Sequence, residues 1–212
     1  MIQHIYIYKG KHRCIKMGRK FDSDYIKELS EELSKGSSVS YEDFPKYDLF
    51  LSQVIDYLND KFVDEKFTNN IVQNYTKSEV ITKPEDGKKR GYTKMHLIQL
   101  VLLSYMRPLL TTEEIKKVFR LAFNEINDRS DDILSWEETF KTFTQIQKES
   151  LDDYLITSLN HEDKLEEIIK KFDLKDKDQE RIKIFLLVLS LIAEASVIKK
   201  LVQKIVKEYE TE

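Results

Sequence analysis

The stretch that decides the fold is residues 67–81, which read FTNNIVQNYTKSEVI. Thr68 is a favourable N-cap residue, because its hydroxyl can accept a hydrogen bond from an amide of the first helical turn. The pattern predicts a short helix over 68–79. Four amide side chains fall near one face of that helix, and they are Asn69, Asn70, Gln73 and Asn74. The helix therefore presents a polar face rich in amides.

The segment after this helix combines turn residues with positive charge. Residues 82–92 contain Pro84, Gly87 and Gly91 together with a run of three basic residues, 88–90. Proline and glycine at these positions predict a small β-hairpin. Leucines at helical spacing then predict a helix over 94–105.

Helical patterns continue towards both ends of the chain. Apolar residues at helical spacing predict helices over 25–34 and 47–62. Capping boxes predict that helices begin after Thr111, Ser135 and Ser150, and Asn160 is a candidate N-cap for another. A last helix is predicted over 179–209. The 5 glycines and 3 prolines in 212 residues argue against an all-β sandwich and favour a mainly α fold.

The net charge of −3 hides an uneven distribution. Residues 1–20 carry six basic side chains and no acid, and residues 74–96 carry six basic and three acidic ones. Residues 125–180 carry 17 acids and 8 bases. A basic patch on an acidic protein indicates an anionic partner at that patch. The alternative is that surface charges cluster by chance.

No group of residues in the sequence resembles a catalytic or metal site. The phosphate-binding loop, the nucleophile elbow and the zinc-binding His-Glu-x-x-His motif are absent. Cys14 is the single cysteine, which excludes an internal disulfide. We therefore expect no enzyme activity, no catalytic residue, no metal and no cofactor, and we expect His96 to be exposed or half-packed. The longest apolar run, 184–193, is too short to span a membrane, so no membrane partner and a cytoplasmic location are expected.

The order of these elements resembles the winged helix-turn-helix of MerR-type transcription regulators. The resemblance covers roughly residues 40–125 and includes the helix over 68–79, the basic hairpin as wing, and the Thr111-Thr-Glu-Glu-Ile helix. With the helix that precedes it, the region is also similar to an uncharacterised bacterial family that carries a domain of unknown function. Glu79 departs from the MerR pattern, which has glycine there, and Asn70 and Gln73 replace arginines.

The resemblance implies binding to double-stranded DNA, and the residue types suit that role. Amide side chains can recognise adenine in the major groove, and basic side chains neutralise phosphates. The predicted DNA-binding residues are Thr68, Asn69, Asn70, Gln73, Asn74, Tyr75, Lys77, Lys88, Lys89, Arg90, Tyr92 and Lys94.

These inferences divide the chain into three parts and predict a homodimer. We expect a basic arm and helix over 1–39, the winged helix-turn-helix over 40–125, and a bundle of several helices for dimerisation or sensing over 126–212. The predicted dimerisation residues lie in the last helix, and they are Val197, Ile198, Leu201, Val202 and Ile205. Any small-molecule effector is unknown. The alternative function is a helical protein-interaction module whose winged-helix fold no longer binds DNA.

Overall fold

The protein is mainly helical in the part of the chain that its computed structural model describes. That part comprises residues 25, 27–29, 32, 39–63, 65–84, 91–171 and 176–208. Between residues 39 and 208, the described residues form a 3₁₀ turn, Tyr41–Asp43, and six α-helices. The helices are α1 (Leu51–Lys61), α2 (Asn69–Lys77), α3 (Lys94–Met106), α4 (Thr112–Arg120), α5 (Trp136–Lys170) and α6 (Asp176–Glu208).

The predicted helices over 68–79 and 94–105 correspond to α2 and α3, whereas the predicted hairpin is not shown. Among the described residues there is no strand, and Tyr92 instead forms a single antiparallel bridge with Leu49. The Leu49 amide donates to the Tyr92 carbonyl at 2.8 Å. Residues 85–90, the tip of the predicted hairpin, lie outside the described part. The mainly α class is therefore confirmed, but the predicted β-hairpin wing is not shown.

The hydrophobic core is built around α3, whose residues from His96 to Ser104 are all buried. Val54 of α1 and Val72 of α2 are fully buried against the same cluster. The cluster continues beyond residue 125, because Trp136 and Phe140 at the start of α5 also belong to it. The core thus crosses the boundary expected at 125, although the domain limits themselves stay a prediction.

The C-terminal part consists of two long helices in the described residues, not the several helices that were expected. The capping boxes after Thr111 and Ser135 begin α4 and α5 as predicted. Ser150 and Asn160, however, lie inside α5, and the predictions that helices start there are wrong. Residues 136–170 contain no glycine or proline, so nothing in the backbone interrupts the helix at these local capping signals.

Helices α5 and α6 contact each other, and they run antiparallel because the start of α5 and the end of α6 pack against the same core. Tyr154 in the middle of α5 lies near Glu194 in the middle of α6, and burial together with this carboxylate raises the pKa of Tyr154. At 35 and 33 residues, each helix is about 50 Å long. Among described side chains, the core cluster includes only Trp136, Phe140 and Phe143 from α5 and Val202 from α6. We refer to 144–170 and 176–201 as the arm.

Candidate nucleic-acid interface

Helix α2 is anchored by its apolar side and exposes its amides. Val72 is fully buried, and Ile71 and Tyr75 pack half-buried against the core. Thr68 is the N-cap, and its hydroxyl accepts a 3.4 Å hydrogen bond from the Ile71 amide. The exposed side of the helix carries Asn69, Asn70, Gln73, Asn74 and Lys77. The predicted polar face is thus a real surface of the protein.

The amides on this outer face of α2 have unused hydrogen-bonding capacity. None of the four amide side chains forms a hydrogen bond with another residue in the described ranges. An amide side chain offers two donors and one acceptor, which is the pattern that pairs with a base edge or a polar ligand. Chemically, the face can recognise a hydrogen-bonding partner without first breaking internal contacts.

The C-terminus of α2 ends in a Schellman motif whose left-handed residue is Glu79. The Val80 amide donates to the Tyr75 carbonyl at 2.9 Å, and the Glu79 amide donates to the Thr76 carbonyl at 3.2 Å. Glu79 has a φ of 55°, a conformation that favours glycine. The motif therefore has the geometry that a glycine would adopt easily, with a glutamate in its place.

The charge of Glu79 is offset by two lysines. Its carboxylate lies 3.5 Å from the Nζ of Lys83 and 3.9 Å from the Nζ of Lys116. Lys116 also donates a 3.1 Å hydrogen bond to the Ser78 carbonyl, so it caps α2 from the neighbouring helix α4. Lys116 was missed by sequence reasoning, since its partners lie 37 and 38 residues away. With Lys77, the last residue of α2, the end of the helix consequently carries one acid and three cations.

Buried polar groups fix the segment that leaves α2. The Thr82 amide donates to Gln99 Oε1 at 2.9 Å, and Gln99 Nε2 donates to the Thr82 hydroxyl at 2.8 Å. The same hydroxyl donates to the Ile126 carbonyl at 2.8 Å, and the Lys83 amide donates to Asn127 Oδ1 at 3.0 Å. Residues 82 and 83 are therefore held between α3 and the loop that follows α4.

His96 is buried, so the expectation of an exposed or half-packed histidine is wrong. Only 2% of its surface is exposed. Its Nδ1 accepts a 3.1 Å hydrogen bond from the Thr93 amide, which leaves Nε2 to donate to the Lys83 carbonyl at 3.3 Å. Since Lys83 and Thr93 flank residues 84–92, the imidazole joins the two ends of that segment. The imidazole thereby links Lys83, which follows α2 in the chain, to Thr93 at the start of α3.

Two of the predicted DNA-binding residues point elsewhere. Tyr92 is 8% exposed, burial raises its pKa, and its hydroxyl lies near the side chain of Thr76 in α2. It supports α2 from inside the protein. The Nζ of Lys94 lies 3.2 Å from the centroid of the Tyr41 ring, so its charge is directed at that ring. Lys88, Lys89 and Arg90 lie outside the described residues.

Lys94 belongs to a polar cluster around Tyr41, at the start of α5. The Tyr41 hydroxyl donates to Glu137 Oε2 at 2.6 Å, and Lys141 donates to Glu137 Oε1 at 2.6 Å. The hydrogen bond to Glu137, followed by burial, raises the pKa of Tyr41 to about 12. The bonds from Lys141 and Tyr41 lower the pKa of Glu137. The cluster ties the 3₁₀ turn to α3 and α5.

An open groove of about 530 Å³ lies beside this cluster. Its apolar lining includes Met95 and Ile98, and its charged lining includes both cations and carboxylates. The charged side chains are Lys94, Arg129, Asp132, Glu137 and Glu138. Because both signs of charge are present, the groove does not select one class of ligand.

The described ranges contain neither a candidate metal centre nor a membrane-crossing helix. No three side chains from histidine, cysteine, aspartate or glutamate are grouped there so that they could hold an ion. None of the described helices is both long enough and apolar enough to cross a bilayer.

The predicted dimerisation residues lie in the last three turns of α6. Val197, Ile198, Leu201 and Ile205 are exposed, and we refer to these four as the root patch. Val202 is half-buried and packs against the core. The structure therefore leaves an apolar surface at this place.

Part of the chain is similar to a known protein family. Residues 39–143 match the family "Domain of unknown function (DUF1836)". The match begins with the first residue of the core and ends where α5 leaves it, so it covers the part of the chain that packs around α3. The expected likeness to a family of unknown function is confirmed, whereas the likeness to MerR-type regulators stays a prediction.

A curated relative gives the same limited information. The chain is 34% identical over 67 residues to "Uncharacterized protein YkrK" of Bacillus subtilis (strain 168). The aligned stretch spans 30% of this chain and 28% of that protein. No solved structure matches the chain.

Proposed function

We propose that the protein is a cytoplasmic transcription regulator that binds double-stranded DNA with a MerR-like winged helix-turn-helix. In this proposal α2 is the recognition helix, and residues 82–92 are the wing that contacts the DNA backbone. The observation that carries the proposal is the outer face of α2, which combines four exposed amides with Lys77 on a rigidly anchored helix.

The size and anchoring of α2 suit the major groove. An α-helix fits that groove, where asparagine and glutamine can form paired hydrogen bonds with adenine. Val72 on the opposite side is fully buried, so the reading face is held at a fixed angle to the core. Residues 82 and 83, which follow α2 in the chain, are hydrogen-bonded to α3 and to the loop after α4. Rigid positioning of this kind favours sequence-specific contacts.

Basic residues around α2 would supply affinity for phosphates. Lys77 is exposed at the end of the helix, and Lys83 and Lys116 lie beside it at Glu79. Lys88, Lys89 and Arg90 of the wing remain predicted contacts. Tyr92 and Lys94 act differently in the proposal, since one supports α2 and the other binds the Tyr41 cluster. Phosphate contacts of this type raise affinity without reading sequence.

The proposed regulator acts as a homodimer. Winged helix-turn-helix proteins bind two half-sites with two recognition helices that are related by two-fold symmetry. The exposed apolar side chains of α6 support such an association, because a patch of this kind is typical of an interaction surface. The root patch and Val202 are the dimerisation residues expected from the sequence.

The test is a gel-shift experiment with fragments of genomic DNA at two salt concentrations. Counterion release predicts that the logarithm of the affinity falls with the logarithm of salt concentration, with a slope of about −0.9 per phosphate contact. We expect selected fragments to be retained at low salt and lost steeply as salt rises. If no fragment is retained even at low salt, the proposal is wrong.

The alternative, a protein-interaction module without DNA binding, is favoured by one observation. Eight large apolar side chains of α6 are at least 45% exposed, which is a large surface for a protein of 25.2 kDa. They are Phe185, Val188, Leu189, Ile192, Val197, Ile198, Leu201 and Ile205. This alternative predicts self-association or partner binding with no salt-dependent retention of any DNA fragment.

A further inference from the structure

We propose that Lys83 and Lys116 form a site for an anionic group of a polyanion, and that the carboxylate of Glu79 occupies this site from within the protein. The inference rests on the proposed function, in which the polyanion is DNA and the anionic group is a backbone phosphate. Glu79 then regulates the phosphate contacts at the end of α2, because the two lysines cannot neutralise a phosphate until they leave its carboxylate.

Two local properties of the backbone disfavour a glutamate at position 79. Its φ of 55° lies in the left-handed region, which glycine adopts more easily than a residue with a Cβ. The C-terminus of a helix also carries a partial negative charge, which repels a carboxylate placed just beyond it. Local preferences therefore favour glycine at this position, and the glutamate has to be explained by the contacts of its side chain.

The two carboxylate oxygens of Glu79 face two different lysines. Oε1 lies 3.5 Å from Nζ of Lys83, which follows α2, and Oε2 lies 3.9 Å from Nζ of Lys116, which belongs to α4. Lys116 is held in place by a 3.1 Å hydrogen bond to the Ser78 carbonyl, and only 22% of its side chain is exposed. Two ammonium groups from separate elements thus converge on one anion. The oxygens of a phosphate or sulfate group can accept hydrogen bonds from the same two donors.

The site is open to an external anion. The side chain of Glu79 is 47% exposed and that of Lys83 is 60% exposed, so a polyanion can reach both. Ion pairs at this degree of exposure are weak, and an incoming phosphate can therefore displace the carboxylate. The displaced carboxylate stays tethered beside the site, where it repels the phosphate. We expect Glu79 to lower the affinity for a polyanion without abolishing it.

The alternative is a purely structural role, in which Glu79 only ties the end of α2 to α4. Exposed ion pairs contribute little to stability, and the left-handed backbone and the helix dipole both act against Glu79. Lys116 also donates directly to the Ser78 carbonyl, and this bond between the two helices does not involve the carboxylate. The net contribution of Glu79 to stability is therefore small, which favours a role in binding.

The first experiment measures binding to a random-sequence DNA duplex by fluorescence anisotropy over a range of salt concentrations. Glu79→Gln removes the charge but keeps the Cβ, so the conformational cost at this position is unchanged. We expect this variant to raise the affinity about tenfold at about 0.1 M salt and to steepen the salt slope by about one unit, because one more phosphate is neutralised.

Glu125→Gln is the matched control for the loss of charge. Glu125 lines the same small pocket as Glu79 and Lys116, and it forms no ion pair with a side chain of the described ranges. Its charge acts on the site only over a distance and through screening by salt. We therefore expect Glu125→Gln to leave the affinity within about threefold of the wild type and the salt slope unchanged.

The second experiment tests whether the gain in affinity comes from the two lysines. In a protein that carries both Lys83→Ala and Lys116→Ala, adding Glu79→Gln should change the affinity less than about threefold, because no ammonium group is released. In a Lys77→Ala protein the same substitution should still raise the affinity about tenfold, since Lys77 is not one of the lysines paired with Glu79. Circular dichroism shows whether each variant keeps the helical content of the wild type. If the double lysine variant loses it, Lys83→Ala alone takes its place, and the gain should then fall below about fivefold.

A heparin column separates failure of this inference from failure of the proposed function, because heparin offers anionic sulfates and no bases. Glu79→Gln should elute at a higher salt concentration than the wild type and Glu125→Gln. The inference is wrong if Glu79→Gln binds heparin or a retained duplex no better than the wild type, if Glu125→Gln gives the same gain, or if the gain persists without the two lysines. A heparin shift in a protein that retains no duplex would instead contradict the proposed function alone.

Discussion

Gln99 and Thr82 are joined by two reciprocal hydrogen bonds, at 2.9 Å from the Thr82 amide and 2.8 Å to its hydroxyl. Gln99 is fully buried in α3, a helix whose other neighbours are almost all apolar. A buried amide of this kind is costly unless its partners are in place. The pair therefore fixes where the chain runs after α2, and with it the angle at which α2 leaves the core.

Replacing Gln99 with leucine keeps the side-chain volume similar and should destabilise the fold. We expect Gln99→Leu to lower the free energy of unfolding by about 2 kcal/mol, because the Thr82 amide loses its partner in a partly buried place. Gln145→Leu, at an exposed position of α5, is the control and should change it by less than about 0.5 kcal/mol. Urea denaturation measures both. Equal effects of the two substitutions would contradict the role assigned to Gln99.

The left-handed conformation of Glu79 predicts a difference between glycine and alanine at this position. Both substitutions remove the carboxylate and its two ion pairs, but only alanine keeps a Cβ at a φ of 55°. The left-handed region costs a residue with a Cβ about 1–2 kcal/mol. We expect Glu79→Gly to be more stable than Glu79→Ala by about 1 kcal/mol in thermal or urea unfolding. An alanine variant as stable as the glycine variant would show that no such strain is present.

The features that could be predicted from the sequence are those whose causes lie within a few residues. The caps of α2, α4 and α5 each involve a hydroxyl and an amide three positions apart. The same local logic failed at Ser150 and Asn160, because an N-cap contributes only about 1 kcal/mol. Packing against α6 along an uninterrupted helix outweighs that preference.

The candidate site shows the same division between local and distant causes. The exposed amides of α2 follow from helical spacing and were predictable. The directions of the Tyr92 and Lys94 side chains were not predictable. Tyr92 lies near Thr76 and Lys94 lies over the ring of Tyr41, and neither neighbour is close in the sequence. His96 and Gln99 are polar residues in an otherwise apolar stretch of sequence, and this pattern is the signal that could have indicated buried hydrogen bonds.

The hydrogen bond from Tyr41 to Glu137 should be visible in a titration. Removing the carboxylate in Glu137→Gln should lower the pKa of Tyr41 from about 12 towards 10, measured by NMR of ¹³C-labelled tyrosine with Tyr41→Phe for assignment. Glu138→Gln is the matched control, because Glu138 bonds to Ser135 instead. An unchanged Tyr41 titration in Glu137→Gln would contradict the assignment.

The same pKa shift gives a signed prediction for stability at high pH. Because the pKa is raised in the folded state, the unfolded chain loses the Tyr41 proton first as pH rises above 10. The stability contributed by this group is therefore complete below pH 10 and is lost as pH rises towards 12. Tyr41→Phe should show a shallower loss over this range in urea unfolding. Parallel curves for the two proteins would refute the prediction.

Acid should weaken the capping boxes. A hydrogen bond from the Thr111 amide lowers the pKa of Glu114 from 4.5, so the unfolded chain binds its proton first as pH falls. The stabilisation is complete above pH 4.5 and is lost as pH falls through the lowered pKa. Glu114→Gln keeps an acceptor without a charge and should show a shallower acid limb in urea unfolding. Glu113→Gln, one position away and outside the box, should follow the wild type, and the same acid limb in both variants would contradict the prediction.

The outer face of α2 predicts two kinds of DNA-binding variant. Asn70→Ala and Gln73→Ala should each weaken binding to a selected site by about 1–3 kcal/mol while binding to random DNA stays nearly unchanged, because amides read bases. Lys77→Ala should weaken binding to both DNAs similarly and make the salt slope shallower by about one unit, because a lysine neutralises a phosphate. All three residues are exposed, so folding should be preserved, which circular dichroism checks. Equal losses on selected and random DNA for all three variants would mean that this face does not read sequence.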